Sequence, residues 1–386
     1  ALVQGAGLDP VDRLFRALDR EGLNPLPVFL ASLKDEVSVA TLRHLFSEAA
    51  LSVVLNATSF AVSTPQTGAE PNPPTPLDEP GAPVLQITFS GSRRENWAAN
   101  LNGLSARDIA MNVSLPEIDG RIFTRAVSFK GEAYFDDDCQ CPISRYEGEE
   151  GRIAFVAELA RRWADLGRAP VAERRVAMVL ANYPNKDGRL ANGVGLDTPA
   201  AVIAAFEDMQ QAGYRIEGIP ADTKALMARI LSGPTNWLTD RVERTGGQRL
   251  PLALYREAYG RLPEGLREQV EARWGAPEAD PFCDGDGFSL SIHPFGNVVL
   301  GVQPARGYNI DPKETYHDPD LVPPHHYFAF YIWLREVFGA QAVVHMGKHG
   351  NMEWLPGKSL ALSDTCFPEA VFGPMPHIYP FIVNDP

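Results

Sequence analysis

Short apolar segments that recur between helical stripes constrain this chain more than any other feature. Arg175-Val-Ala-Met-Val-Leu180, Asn297-Val-Val-Leu-Gly-Val302 and Ala342-Val-Val-His345 each read as a buried strand. Leu26-Pro-Val-Phe-Leu30, Leu51-Ser-Val-Val-Leu55 and Val84-Leu-Gln-Ile-Thr-Phe89 have the same character in the first part of the chain. Between them lie helical patterns at Pro10–Glu21 (apolar at Val11, Leu14, Phe15 and Leu18), Val37–Ala49, Ile153–Leu166, Thr198–Ala212, Ala221–Leu231 and Pro323–Gly339. Asp197 or Thr198 is the expected N-cap of the fourth. Short apolar strands alternating with helices predict α/β architecture with Rossmann-like parallel sheets.

The 386 residues suffice for two or three domains. The expected division is a first α/β unit over 1–150 and a second over 151–386. Residues 62–83 contain seven prolines among Gly, Thr and Asp and read as a surface insertion. Residues from about 234 to 278 read as a helical insertion in the second unit, and Phe381-Ile-Val as its last strand. The stretch 91–141 gives no clear pattern.

The densest chemistry follows the strand at 342–345. The run His345-Met-Gly-Lys348-His349-Gly350-Asn-Met-Glu353-Trp354-Leu-Pro-Gly-Lys358 holds two imidazoles, a carboxylate and two amines. Its glycines and proline favour a loop over a helix. In open α/β sheets ligands bind beyond the carboxyl ends of the strands. His345, His349 and Glu353 are spaced by four, and imidazole with carboxylate suits Co²⁺, Zn²⁺ or Fe²⁺. The competing reading is that one His hydrogen-bonds the loop while Glu353 faces water.

Gly357-Lys358-Ser359 resembles the end of a phosphate-binding loop, but the required first glycine would stand at Met352. The chain is therefore not expected to bind ATP. His325 and His326 open an aromatic helix; the alternative to a ligand role is a helix start within a core. Arg93 and Arg94 read as surface charges, and Cys366 as a buried thiol. Net charge is −14 with pI about 5.1, which argues against nucleic acid. No apolar run reaches the roughly eighteen residues of a membrane span. Cys139 and Cys141 form C-x-C, without the C-x-x-C of a structural zinc site. Free thiols fit a reducing cytoplasm.

The segment HMGKHGNMEWLPGKSLALSDTCFPEAVFGPMPHIYPFIVND, with the upstream PPHHYFAFYIWLREVFGA, resembles the large, porphyrinoid-binding subunit of the ATP-dependent metal chelatases. Lys348, Asn351, Trp354 and the stretch His377–Asp385 are more similar to the aerobic cobaltochelatase branch than to the magnesium chelatase branch. Weaker similarity runs through LNPLPVFLASLKD, SFKGEA and VLANYPNKDGRLANGVGLDTPAAV. The resemblance implies an interior fragment of a longer subunit, as does an opening without Met, and a fragment inactive alone. It implies α/β units around a cleft, and Co²⁺ inserted as substrate into hydrogenobyrinic acid a,c-diamide. Two AAA+-type partner subunits would hydrolyse ATP with Mg²⁺. Insertion removes two pyrrole protons and strips water from the ion, so a carboxylate or neutral imidazole serves as acceptor or transient ligand. On this basis Glu353 and His349 are the expected catalytic residues, and His345, His349 and Glu353 the metal contacts. His325, His326, Arg306, Lys348, Lys358 and His377 are the expected substrate contacts, Arg suiting carboxylates by its fork. The alternatives are a magnesium-type subunit or paralogue for another metal, and a non-catalytic, two-lobed ligand-binding module.

Overall fold

The computed structural model describes residues 7–64, 74–182, 190–191, 196–238, 244–308, 318–347 and 350–380. They form two compact units: Ala1–Arg168 with Lys358–Ser363, and Ala169–Gly357 with Asp364–Pro386. The expected boundary at 150/151 therefore moves to 168/169. The reason is the helix Glu150–Arg168, which buries Ile153, Val156, Ala157, Ala160 and Ala164 in the core of the first unit.

The first unit is built on a sheet in the order β1 (Val54–Asn56), β2 (Val84–Ser90), β3 (Ile122–Asp136) and β4 (Cys141–Gly148). The first three strands are parallel and β4 is antiparallel to β3. On β2, Leu85 and Ile87 share the core with Leu14 and Leu18 of the helix Asp9–Arg20 and with Glu150–Arg168. The alternate residues are polar and paired: Gln86 accepts from Asn56, and Ser90 donates to Asp108. Lys358–Ser363 belongs here because Ser359 N donates to Leu101 O and Trp97 Nε1 to Ala361 O, 2.8 Å each.

One expected strand of this unit is absent, and two further stretches gain detail. Leu26–Leu30 forms no strand, and Leu26 and Phe29 are 61% and 60% exposed. Pro25 and Pro27 remove two ladder donors from so short a run. The stretch 91–141 holds β3, a strand of 15 residues with no clean alternation. The Pro-rich insertion lies partly outside the described residues, but its flanks are not loose. Val62 N and Ser63 N donate to Asp119, and Leu77 is buried.

The second unit contains a five-stranded sheet in the order β11-β10-β5-β9-β8. These strands are β5 (Val176–Leu180), β8 (Ile292–Phe295), β9 (Val298–Val302), β10 (Ala342–Met346) and β11 (His377–Ile378). All neighbours are parallel except β8 with β9. Every residue of β5 is buried because both faces are covered. Ala177 and Val179 pack towards the helices Leu252–Gly260, Glu264–Trp274, His325–Ile332 and Phe367–Phe372. Val176, Met178 and Leu180 pack towards Thr198–Gln211 and Thr223–Leu231. Asp197 caps the first of these through Ala200 N. The expected helical insertion at 234–278 also holds β6 (Gln248–Pro251), which pairs with β7 (Gly287–Leu290). Phe381–Val383 lies outside the described residues, as do Asn384 and Asp385. The chain moves from β9 on one side of β5 to β10 on the other, so strand order reverses at β5. That is the switch point where an open α/β sheet leaves a crevice at its carboxyl edge. Among the described residues no helix is long and apolar enough to cross a membrane.

Candidate functional site

The carboxyl ends of β5, β9, β10 and β11 bring one polar cluster together. β9 runs straight into Gln303, whose N donates to Leu180 O of β5. Its side chain is 1% exposed and serves as a hub. Gln303 Oε1 accepts from Asn351 N at 2.9 Å, while Nε2 donates to the hydroxyls of Tyr327 (3.3 Å) and Tyr331 (3.2 Å). Those tyrosines lie four apart on the helix His325–Ile332 and so share a face. Tyr327 donates to Asn351 Oδ1 at 2.7 Å, and Asn351 Nδ2 to Pro304 O at 3.0 Å. Asn351 is thus held on three sides at the start of a 3₁₀ turn, Met352–Trp354, that presents Glu353.

Glu353 reaches the surface, yet burial of its carboxyl raises the pKa above the ordinary carboxylate value. Its own backbone N–H, the Tyr379 hydroxyl and Arg306 oppose that rise without cancelling it. Tyr379, just after β11, accepts from Gly350 N at 3.1 Å and donates to Glu353 Oε1 at 3.5 Å. A carboxyl raised this way is a better proton acceptor near neutral pH than an ordinary surface glutamate.

Arg306, 3% exposed, lies three residues beyond Gln303. Its Nη2 donates to Asp318 O at 2.7 Å and Leu321 O at 3.4 Å, whereas Nε and Nη1 have no partner among the described residues. Burial lowers its pKa, offset by Tyr327, Asp318 and Glu353. A buried guanidinium with two idle donors is suited to an anionic ligand. Asn182, just past β5, is likewise buried with Oδ1 unpartnered among the described residues.

Other expected site residues fare differently. His345 lies in β10, 7% exposed, with both ring nitrogens engaged: Nε2 on the Tyr331 hydroxyl (3.0 Å) and Nδ1 on His377 Nε2 (2.6 Å). Burial, with His377 second, holds its pKa well below 6.5, so the ring is neutral. In this arrangement the ring braces the Tyr331 hydroxyl against His377. His377 reaches the surface, but burial of its ring brings its pKa to about 4. Its Nε2 is committed to His345, so only the other ring nitrogen remains for a substrate. His325 and His326 lie buried in the core of the second unit. His325 accepts from Tyr255 and donates to Gly275 O, and His326 stacks on Phe282 at 4.0 Å. Lys358 belongs to the first unit, where its ammonium donates to Ala98 O and Asn100 O. Lys348 and His349 lie outside the described residues.

Gln303, Tyr327 and Tyr331 were not singled out in the sequence, and Asn351 and Tyr379 entered only through the family resemblance, with no site role. The available signal was two tyrosines spaced by four in an otherwise apolar helix, which read as core aromatics.

The family described as CobN/magnesium chelatase matches residues 1–386. The chain is 57% identical over its whole length to an aerobic cobaltochelatase subunit CobN from Sinorhizobium sp, of which it covers 30%. It is 27% identical to the chloroplastic magnesium-chelatase subunit ChlH of Oryza sativa subsp. japonica, with 96% of the chain and 26% of that protein aligned. The fold matches the catalytic subunit of cobaltochelatase from Mycobacterium tuberculosis with a TM-score of 0.82 and 37% identity, over 99% of this chain and 32% of that one. The chain therefore spans between a quarter and a third of the length of these relatives.

Proposed function

The chain belongs to the CobN/magnesium chelatase family, and from that premise we propose that it forms the part of a cobaltochelatase large subunit where the metal ion meets the tetrapyrrole. The observation that carries this is Glu353, a carboxyl of raised pKa at the switch-point edge of a parallel sheet, with Arg306 in its field. Glu353 accepts pyrrole protons as the ion enters, or holds the ion transiently, and His349 is the second candidate for the same work. Arg306 offers its idle N–H groups to a peripheral carboxylate of the substrate. Lys348 remains a candidate for the same task, and His377 contributes only its outer nitrogen. Co²⁺ as the ion rests on the higher identity to cobaltochelatase relatives than to the magnesium-chelatase relative. Hydrogenobyrinic acid a,c-diamide is the substrate implied for that branch. ATP hydrolysis with Mg²⁺ falls to two AAA+-type partner subunits, consistent with the absence of a correctly spaced phosphate loop.

The test is Glu353→Gln in the full-length subunit, assayed with its partners. Tm and tetrapyrrole affinity stay near wild type, while metal insertion falls roughly 10²- to 10⁴-fold, the range for a positioned acid–base group. Wild-type insertion by this variant would end the proposal.

A further inference from the structure

Glu353 sits on a loop, and a loop does not by itself hold a carboxylate within the fraction of an ångström that proton transfer needs. Tyr379 bonds both Gly350 N and the carboxyl itself, and the Gln303 amide ties the turn to the sheet. Gln303 anchors its own backbone to β5 through Leu180 O, so it is part of the sheet. From there its Oε1 takes the N–H of Asn351 and its two N–H bonds take the hydroxyls of Tyr327 and Tyr331. Asn351 closes the ring by accepting from Tyr327. Tyr331 has His345 as its acceptor, and His345 in turn leans on His377. These hydrogens are assigned from the network: both hydroxyls accept from Gln303, Tyr327 donates to Asn351, and Tyr331 donates to His345 Nε2. His345 therefore carries its proton on Nδ1, facing His377. A Cβ placed on Gly350 would lie 3.2 Å from Glu353 Oε2 and 3.3 Å from Gln303 Oε1, so the amide and the carboxylate flank the same Cα.

We propose that Gln303 is a positioning residue that acts through Glu353, tying the 350–353 turn to the rigid sheet so that the carboxylate is held at the reacting centre. Gln303 does not touch the ion or the ring; it sets where Glu353 stands. The proposal rests on the chelatase reading of Glu353 and goes beyond it by naming what orients that group.

The experiment is a double-mutant cycle in the full-length subunit with its partners, using Gln303→Met, Glu353→Gln and the pair. Met keeps length and apolar bulk and removes all three side-chain hydrogen bonds. We expect Gln303→Met to lower the insertion rate about 10- to 100-fold while tetrapyrrole affinity stays within about twofold, since a misplacement near 1 Å is worth about 10². In the pair, Gln303→Met should add less than about twofold to the loss from Glu353→Gln, because a displaced group that is already disabled has nothing further to lose. Gln303→Asn, shorter but still an amide, should recover part of the rate. Multiplicative losses in the pair would overturn the proposal, and so would unchanged insertion by Gln303→Met. If Gln303→Met fails to fold, the cycle runs with Tyr327→Phe, which removes two bonds of the ring, those to Gln303 and to Asn351, at nearly constant shape, and additivity there refutes the proposal equally. Normal insertion by Glu353→Gln alone would instead refute the chelatase role of Glu353, so the two failures are told apart.

Discussion

Gly350 carries no side chain, and a Cβ there would meet both Glu353 and Gln303. Gly350→Ala would bring a methyl to 3.2 Å from one and 3.3 Å from the other, tighter than ordinary packing, so a neighbour must yield by a few tenths of an ångström. The exposed carboxylate yields more easily than the buried amide. The expected result is a folded protein with a Tm lowered by no more than a few degrees and metal insertion reduced about tenfold; full activity would mean that the carboxylate position is uncritical. At this scale the sequence pointed to the loop that carries Glu353, but not to the partners of its histidines. Spacing by four places His345 and His349 within reach of one point. It says nothing about lone pairs, and His345 has both nitrogens engaged by Tyr331 and His377, residues remote in sequence. Gln303 was illegible for the same reason: a single polar residue at a strand end gains its role only when three separate segments close on it.

Elements were legible where the pattern was strong and local. The helix Glu36–Glu48, preceded by its cap Asp35, lies within a residue of the stripe read at 37–49, and β5 and β10 lie where the apolar runs stand. β3 was missed because its outer half is exposed on a hairpin arm, so no burial period marks it. The flanks of the Pro-rich segment are anchored from elsewhere in the chain, which the sequence does not show. Asp119 accepts from Val62 N and Ser63 N and pairs with Arg121 at 2.9 Å, both side chains almost wholly buried. Arg121 in turn donates to Thr58 Oγ1 and Phe60 O. Asp119→Ala leaves a buried guanidinium without its counter-charge and two backbone N–H groups without acceptors. Breaking such a pair is worth about 3–5 kcal/mol. Denaturant unfolding of the first unit should show a loss of that order, and a change below about 1 kcal/mol would mean that water replaces the carboxylate.

The second unit as a whole stores neutral histidines, which gives the molecule a definite acid response. His293 is 4% exposed, and burial, with Arg229 second, brings its pKa to about 4 from 6.5. His377 is brought to about 4 by burial, and burial also lowers His325 and His345. For each group the unfolded chain takes up its proton near pH 6.5, while the folded chain refuses it until a lower pH. Between those values the unfolded state binds more protons, so stability falls as pH falls. For His293 the gap is worth on the order of 3 kcal/mol when fully developed, at about 1.4 kcal/mol per pK unit. Carboxylates held below their ordinary values, such as Asp9 and Asp286, act in a different window. Their contribution is present above the unfolded value near 4 and disappears only below it. The two causes therefore separate by pH. Thermal melts at pH 7.5, 6.0 and 4.5, followed by near-ultraviolet circular dichroism, should show most of the Tm loss above pH 4.5. His293→Gln, neutral at every pH, should flatten that slope while leaving the loss below pH 4 in place. Because the chain forms two units, the melt is read at the transition that His293→Gln shifts, not from a single midpoint. An equal slope in wild type and His293→Gln between pH 6.5 and 4.5 would show that this histidine is not held neutral by the fold.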